Sequence, residues 1–243
     1  MVSVRAMRMG PVGCTLVGLG IGMILVGCKR PGPAGEAAGD ASFEGTVQMT
    51  IPGASPLPTT FEIKGGKVRW NLSPMDGDSA GYRIYDASAR RLFTVLPQQP
   101  SVLVDVVAAP SGTASPGDGG SSWSFSHLGD GRAGGYPCER MRATSGSQVY
   151  ELCAAHGILP VPLQYALPNA ASALPFLGEL EARGVLPLAA ATREGPPDKT
   201  YPSPRLATSL VQRGPIDAAR FVVPDYPQRT LKHPLAAPGA LPR

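Results

Sequence analysis

The sequence predicts a mainly β protein: a curved antiparallel sheet accompanied by one or two short helices. Three observations support this fold class. Apolar and polar residues alternate with a period of two in many short segments. Glycine (30) and proline (27) interrupt the whole 243-residue chain, which leaves little room for long helices. The residues are 43% hydrophobic and 16% charged, so we expect one or two domains with a substantial core.

The first 27 residues have the parts of a bacterial export signal. Arg5 and Arg8 form a positive head, and residues 10–27 contain no charge. The segment ends in Leu25-Val26-Gly27-Cys28, which resembles the lipobox recognised by the lipoprotein signal peptidase. The resemblance implies cleavage before Cys28 and fatty acylation of that cysteine, typically with palmitate. An uncleaved membrane helix and an ordinary secretory signal remain alternatives.

The residues after the cysteine predict location and domain organisation. Lys29 stands where an aspartate would favour retention in the inner membrane, so we expect an outer-membrane anchor facing the periplasm. The Pro/Gly/Ala-rich composition of the residues that follow predicts a flexible tether. We therefore divide the chain into a signal peptide (1–27), a lipidated cysteine with its tether (28–41), a single β-rich domain (42–231) and a C-terminal tail (232–243).

The strands of the domain follow from its alternating segments. The first covers residues 43–50, and Gly65-Gly66 joins the alternating runs 60–64 and 67–72. Two such runs around Gly-Gly predict a hairpin, because a tight primed turn needs positive φ at both central residues. Further strands are expected at Gly81–Asp86, Arg91–Leu96, Val102–Ala108, Ser122–Ser126, Leu186–Arg193 and Arg205–Arg213, and Ala218–Val223 closes the domain.

Two cysteines lie in another predicted hairpin. If it is centred on Ser145-Gly146 and has a four-residue loop, Cys138 and Cys153 are directly opposite each other on one side. In an oxidising periplasm this arrangement predicts a disulfide. A metal site or two free thiols are the alternatives. Two cysteines without converging histidines are weak evidence for a zinc-binding site.

One helix is expected in the second half of the chain. Ser172 or Asn169 is a suitable N-cap, Pro175 would stand in the first turn, and Gly184 would end the helix. We expect this helix to cover part of one face of the sheet.

Several short segments resemble a family of secreted bacterial proteins of unknown function related to the Lol-type lipoprotein carriers. The segments are Phe43-x-Gly45, Ile63–Arg69, Arg83–Asp86, Leu92–Pro97, Gly135–Cys138, Leu186–Leu188 and Phe221–Pro224. The resemblance implies a half-barrel whose apolar concavity is covered by helices. It supplies no catalytic residues.

Two local patterns have the letters of a catalytic or nucleotide-binding motif without its structural context. Residues 77–81 fit G-x-S-x-G, but they lack a preceding strand and a following helix, so we predict a turn. Residues 129–134 fit G-x-G-x-x-G, and we predict a loop because a strand follows. His127, His156 and His233 share no ligand spacing and are expected to be solvated; a position near a groove is an alternative for His156, but nothing pairs it with a nucleophile. The sequence therefore predicts no catalytic residues, no metal and no cofactor.

Charge and patterning leave three hypotheses for function. Without Arg5 and Arg8, 20 basic residues face 18 acidic ones, a net charge of +2, and the bases are scattered, so nucleic-acid binding is not expected. The main hypothesis is a non-catalytic, membrane-anchored envelope lipoprotein that binds a lipid or other hydrophobic ligand in the curved sheet. The alternatives are a structural or assembly lipoprotein that docks another envelope protein, and, less favoured, an envelope hydrolase. The candidate ligand-lining residues are Val47, Phe61, Val68, Trp70, Ile84, Phe93 and Val104.

Overall fold

A computed structural model of the chain describes residues 43–54, 57–73, 75–108, 123–194 and 201–231. They belong to one compact unit, Asp40–Arg243. Within these residues the strands are β1 Gly45–Thr50, β2 Thr59–Lys64, β3 Lys67–Ser73, β4 Gly77–Asp86, β5 Arg91–Leu96, β6 Ser101–Val106, β7 Ser124–Ala133, β8 Tyr136–Ser145, β9 Gln148–Ala155, β10 Leu186–Glu194, β11 Tyr201–Arg213 and β12 Gln228–Thr230. The helices are α1 Leu163–Ala166, α2 Ala170–Ala173 and α3 Leu177–Ala182, and a 3₁₀ helix spans Ala218–Phe221.

The twelve described strands form one open, curved sheet in the order β12-β6-β5-β4-β3-β2-β1-β11-β10-β9-β8-β7. This confirms the mainly β fold class. Neighbouring strands are antiparallel except β12, which pairs with β6 in parallel. The long strand β11 joins the two halves, because its first part pairs with β10 and its second part with β1.

The Gly65-Gly66 hairpin is confirmed. The two glycines have φ values of +56° and +77°, and Lys64 pairs with Lys67 on either side of them. Positive φ at both central positions matches the turn expected for a two-residue connection.

Both glycine-containing motifs lie in strands rather than in the predicted turn and loop. Residues 77–81 belong to β4, and the turn lies just before them. Residues 129–133 belong to β7, and the turn is formed by Gly134 and Gly135, with φ values of +57° and +83°. Both predictions were wrong because backbone pairing with a neighbouring strand overrides the weak local preference of glycine for turns.

The disulfide is present, but the predicted register of its hairpin is wrong. Ser145 pairs with Gln148, so the loop has two residues rather than four. Cys153 consequently faces Arg140, and Cys138 lies two positions before Arg140 in β8. A shift of two residues leaves both cysteines on the same face, and they bond diagonally with their Cα atoms 5.4 Å apart.

The single predicted helix is divided in two. Helix α2 ends at Ala173 and α3 begins at Leu177, on either side of Pro175. Proline lacks the backbone N–H that a continuous helix needs and clashes with the preceding turn. Asn169 precedes α2 with φ +61° and makes no side-chain cap. Gly184, with φ +69°, ends α3 as expected.

The main core lies between one face of the sheet and the three helices. Phe176 is its centre: it is fully buried, and its ring lies 5.3 Å from Trp123 and 5.1 Å from Tyr150 in edge-to-face contacts. Leu174 and Leu180 are also fully buried in this cluster. We call this side of the sheet the helical face.

The C-terminal segment covers part of the opposite face. The segment Ala218–Val223, predicted to close the domain, is mostly 3₁₀ helix. Arg220 binds Glu62 at 2.7 Å, and Glu62 also accepts from Arg69, which is only 3% exposed. Beyond it, a small apolar cluster consists of Val95, Val102 and Val104, with Tyr82, Phe93, Val223 and Tyr226 packed against it.

Candidate functional site

A surface groove of about 860 Å³ lies where β7 and β8 meet the end of β9. We call it the edge groove. Its lining residues are His127, Asp130, Gly131 and Arg132 from β7, Tyr136, Pro137, Cys138 and Glu139 from β8, and His156.

Two histidines in this groove share one carboxylate. His127 Nδ1 lies 2.9 Å from one oxygen of Glu139, and His156 Nε2 lies 3.0 Å from the other. These hydrogen bonds, that of His156 first, lower the pKa of Glu139 below its ordinary value. Both histidines are exposed, and His156 lies in a groove, which was the alternative expected for it; that the two histidines converge on Glu139 was not predicted. His233 lies outside the described residues.

Strand pairing explains why residues so far apart in sequence meet. His127 faces Met141 and Ala154 faces Glu139. Since every second residue points to the same side, His127, Glu139 and His156 all project from one side at the end of the sheet. A β-bulge follows His127 and shifts the pairing of β7 by one residue.

Cys138, which lines the groove, is already used in a disulfide. The sulfur of Cys138 is bonded to Cys153, so it is not a free thiolate of the kind a cysteine nucleophile requires. The two imidazoles bond to different oxygens of Glu139. Among the described residues, no three His, Cys, Asp or Glu side chains are arranged to hold a metal ion.

The groove runs beside the backbone of β7. Asp130, Gly131 and Arg132 are consecutive, and consecutive strand residues point to opposite faces. A groove that touches all three therefore reaches the backbone of β7. In the described part of the chain β7 pairs with β8 alone, so its other edge presents N–H and C=O groups without a strand partner.

The wall of the groove is held in place by contacts with β11 and with Phe43, which lies just before β1. Val211 N donates to the carbonyl oxygen of Gly134 at 2.9 Å. A side chain at Gly134 would lie 2.7 Å from Thr208, so only glycine allows this close approach. Tyr136 accepts from Arg213 at 3.1 Å and packs edge-on against Phe43.

The seven candidate ligand-lining residues do not share one face. Four belong to the main core under the helices: Val47, Phe61, Val68 and Trp70. Three are aligned on the opposite face, where Ile84 pairs with Phe93 and Phe93 with Val104. Six of the seven are buried and Phe93 is partly buried. None of them lines the edge groove.

The predicted anchor lies outside the described residues. Residues 1–27, Cys28 and the tether belong to the segment 1–42. Among the residues that the structure describes, no helix is both long and apolar enough to cross a bilayer.

Solved structures resemble this fold at low sequence identity. An uncharacterized conserved protein from Thermus thermophilus is 11% identical, with 79% of this chain and 92% of that chain covered and a TM-score of 0.41. MucB in complex with MucA(peri) and MucB by itself are each 15% identical, with a TM-score of 0.30 and 76% of this chain covered. The present chain spans 54% and 58% of those two MucB chains.

Sequence comparison identifies a family. None of the curated proteins matches the chain significantly. The family model of a domain of unknown function, DUF4412, matches residues 43–187, which is more than half of the chain. This protein therefore belongs to the DUF4412 family.

Proposed function

We propose that this protein is a non-catalytic lipoprotein of the cell envelope that docks another envelope protein. In this proposal Cys28 carries the lipid that holds the domain at the outer membrane, facing the periplasm. The edge groove receives an extended segment of the partner. The observation that carries the proposal is the strand edge of β7, which has no strand partner among the described residues and is bordered by this groove.

An extended peptide is the occupant that best fits a strand edge. Backbone N–H and C=O groups of a new strand hydrogen-bond to those of the edge, while alternate side chains supply specificity. The regular part of β7 beyond its bulge, Gly129–Ala133, offers five residues, about 17 Å of strand. Asp130 and Arg132 in the groove present both charge signs, which suits a polar peptide better than an acyl chain.

The packing of the helical face supports the docking hypothesis over the lipid-binding one. Leu174, Phe176 and Leu180 are fully buried against the sheet. An acyl chain bound on that face would have to displace them, since protein interiors are packed at crystal-like density.

In-cell photo-crosslinking tests the docking site. A benzoylphenylalanine replaces Arg132, which is exposed in the groove, and in a control strain it replaces Arg91, which is exposed on β5. We expect a discrete protein adduct at position 132 and none at position 91. Peptide mapping of the adduct should locate the partner's contact in one extended segment. Adducts at both positions, or at neither, would contradict the proposal.

The anchor has its own test. Mass spectrometry of the mature N-terminus should find Cys28 as the first residue, carrying acyl chains. Cys28→Ser should release the protein from the membrane fraction. A mature chain that begins elsewhere, or that lacks acyl mass, would contradict the lipoprotein assignment without affecting the docking site.

A further inference from the structure

We infer that a second pocket, beside β9 and β10, binds a phosphate group. This pocket has a volume of about 300 Å³, and Arg132, Arg140 and Glu151 are its charged lining residues. We call it the arginine pocket. It goes beyond the proposed docking function and does not depend on it.

The register of the strands brings an excess of positive charge to this pocket. Arg140 faces Cys153, and Arg142 faces Glu151. All four side chains therefore share one face, opposite the helical face. Arg193 reaches Glu151 from β10 at 2.8 Å, and Arg142 reaches it at 3.2 Å. Arg142 and Arg193 thus neutralise the one acid among the lining residues, while Arg132 and Arg140, which also line the pocket, supply the excess positive charge.

Arginine N–H donors remain unused in and beside the pocket. Arg142, next to the pocket, uses its Nη2 for Glu151, while its Nε is buried and has no hydrogen-bond partner. Arg140 is exposed and forms no ion pair with Glu151. Guanidinium groups with unused N–H donors in a fixed fork match the oxygens of phosphate.

Gly131 positions the side chain of Arg140. A Cβ at residue 131 would lie 2.7 Å from Cγ and 3.0 Å from Cδ of Arg140, and 3.4 Å from the sulfur of Cys138. The stem of Arg140 therefore lies over the glycine and beside the disulfide. The stem of Arg140 therefore leans toward β7, whereas Glu151 lies on β9, on the other side of β8.

Glu151 occupies the donors that an incoming phosphate would use. Hydrogen bonds from Arg193 lower its pKa, and those from Arg142 add to the effect. The carboxylate is therefore charged at neutral pH and competes with an anion for both arginines. Its removal should strengthen phosphate binding, whereas a purely structural cluster would show no such gain.

Phosphate titration of the compact unit, residues 40–243, tests the inference. The Nε–H resonances of arginine are followed by NMR while inorganic phosphate replaces chloride at constant ionic strength. We expect the signals of Arg140 and Arg142 to shift. Arg140→Gln should weaken binding about tenfold, as expected for loss of a charge-assisted hydrogen bond. Glu151→Gln should strengthen binding, and the matched control Arg91→Gln should leave it unchanged.

Vesicles distinguish the two sources of the phosphate group. Sedimentation with phosphatidylglycerol vesicles, compared with phosphatidylcholine vesicles, shows whether a lipid headgroup reaches the pocket. Binding to phosphatidylglycerol that Arg140→Gln weakens identifies a lipid source, and binding of inorganic phosphate alone identifies a free one. Absence of any phosphate response in the folded unit, or an equal response in Arg140→Gln and Arg91→Gln, would overturn the inference. Thermal melts of each variant confirm that it is folded.

Discussion

Replacing Phe176 by alanine tests how firmly the helices are packed on the sheet. Phe176 is fully buried between α2 and α3, and its ring contacts three others: Trp123 at 5.3 Å, Tyr150 at 5.1 Å and Phe125 at 6.1 Å. Phenylalanine-to-alanine changes in cores cost about 3–5 kcal/mol. Each edge-to-face pair adds roughly 0.5–1.5 kcal/mol beyond burial, and the three are not additive. We therefore expect a loss at the upper end of the range, about 4–5 kcal/mol.

Urea unfolding measures this loss. The free energy of unfolding is compared between residues 40–243, their Phe176→Ala variant and a Val222→Ala control, whose side chain is 64% exposed. The control should lie within about 0.5 kcal/mol of the parent. A Phe176→Ala loss below about 1.5 kcal/mol, well under the range for buried phenylalanines, would refute the reasoning, because it would mean that the helical layer contributes little packing and that this face is open to a ligand.

Three other perturbations have expected outcomes. Replacing Cys138 and Cys153 together by serine should lower the free energy of unfolding by about 3 kcal/mol for a loop of this size, and a reductant should then have no further effect in urea titrations. The pKa of Glu139 is lowered in the folded state, so its contribution to stability is present above the unfolded carboxyl pKa and is lost as pH falls through the folded pKa. Glu139→Gln should therefore flatten the acid limb of a stability–pH curve, and an unchanged limb would contradict the hydrogen-bond assignment. Gly45→Ala should be far more destabilising than Gly53→Ala in thermal melts, because both glycines have positive φ but only a side chain at Gly45 would overlap the backbone of β11. Equal losses would refute that assignment.

The strands and their tight hairpins were predictable because they rest on local signals. Alternating apolar and polar residues predict a strand with one buried side, and Gly65-Gly66 predicts a turn. The bounds of β2 and β3 were therefore predicted to within one residue. The strand at Arg91–Leu96 was found with its bounds unchanged. Each of these signals lies within a few residues of the element it specifies, and no distant part of the chain has to be known.

Features that depend on distant contacts were not predictable in the same way. The register of the cysteine hairpin was missed because Ser145-Gly146 and Gly146-Ser147 are both suitable turns, and both place Cys138 and Cys153 on one face. Ile84 and Phe93 were predicted to line the ligand-binding side of the curved sheet. That side could not be identified from the sequence, because both sides of β4 and β5 carry apolar residues. The C-terminal segment covers the second side, and that docking has no local signature.

The convergence of the two histidines in the edge groove was missed for the same reason. His127 and His156 are far apart in the chain, and they meet only because β8 places Glu139 between them. A correct pairing of β7, β8 and β9 would have been the signal, since it puts these residues on one side at the end of the sheet.

The central claim is that the helical face of the sheet is filled by the protein's own side chains, so that binding takes place at the rim. Native mass spectrometry of the domain from Ser42 onward, purified from the envelope under gentle conditions, tests it most directly. The account predicts one species with the mass of the disulfide-bonded polypeptide alone. A stoichiometric lipid that stays bound to the folded domain, and that the Arg140→Gln variant retains equally well, would contradict it.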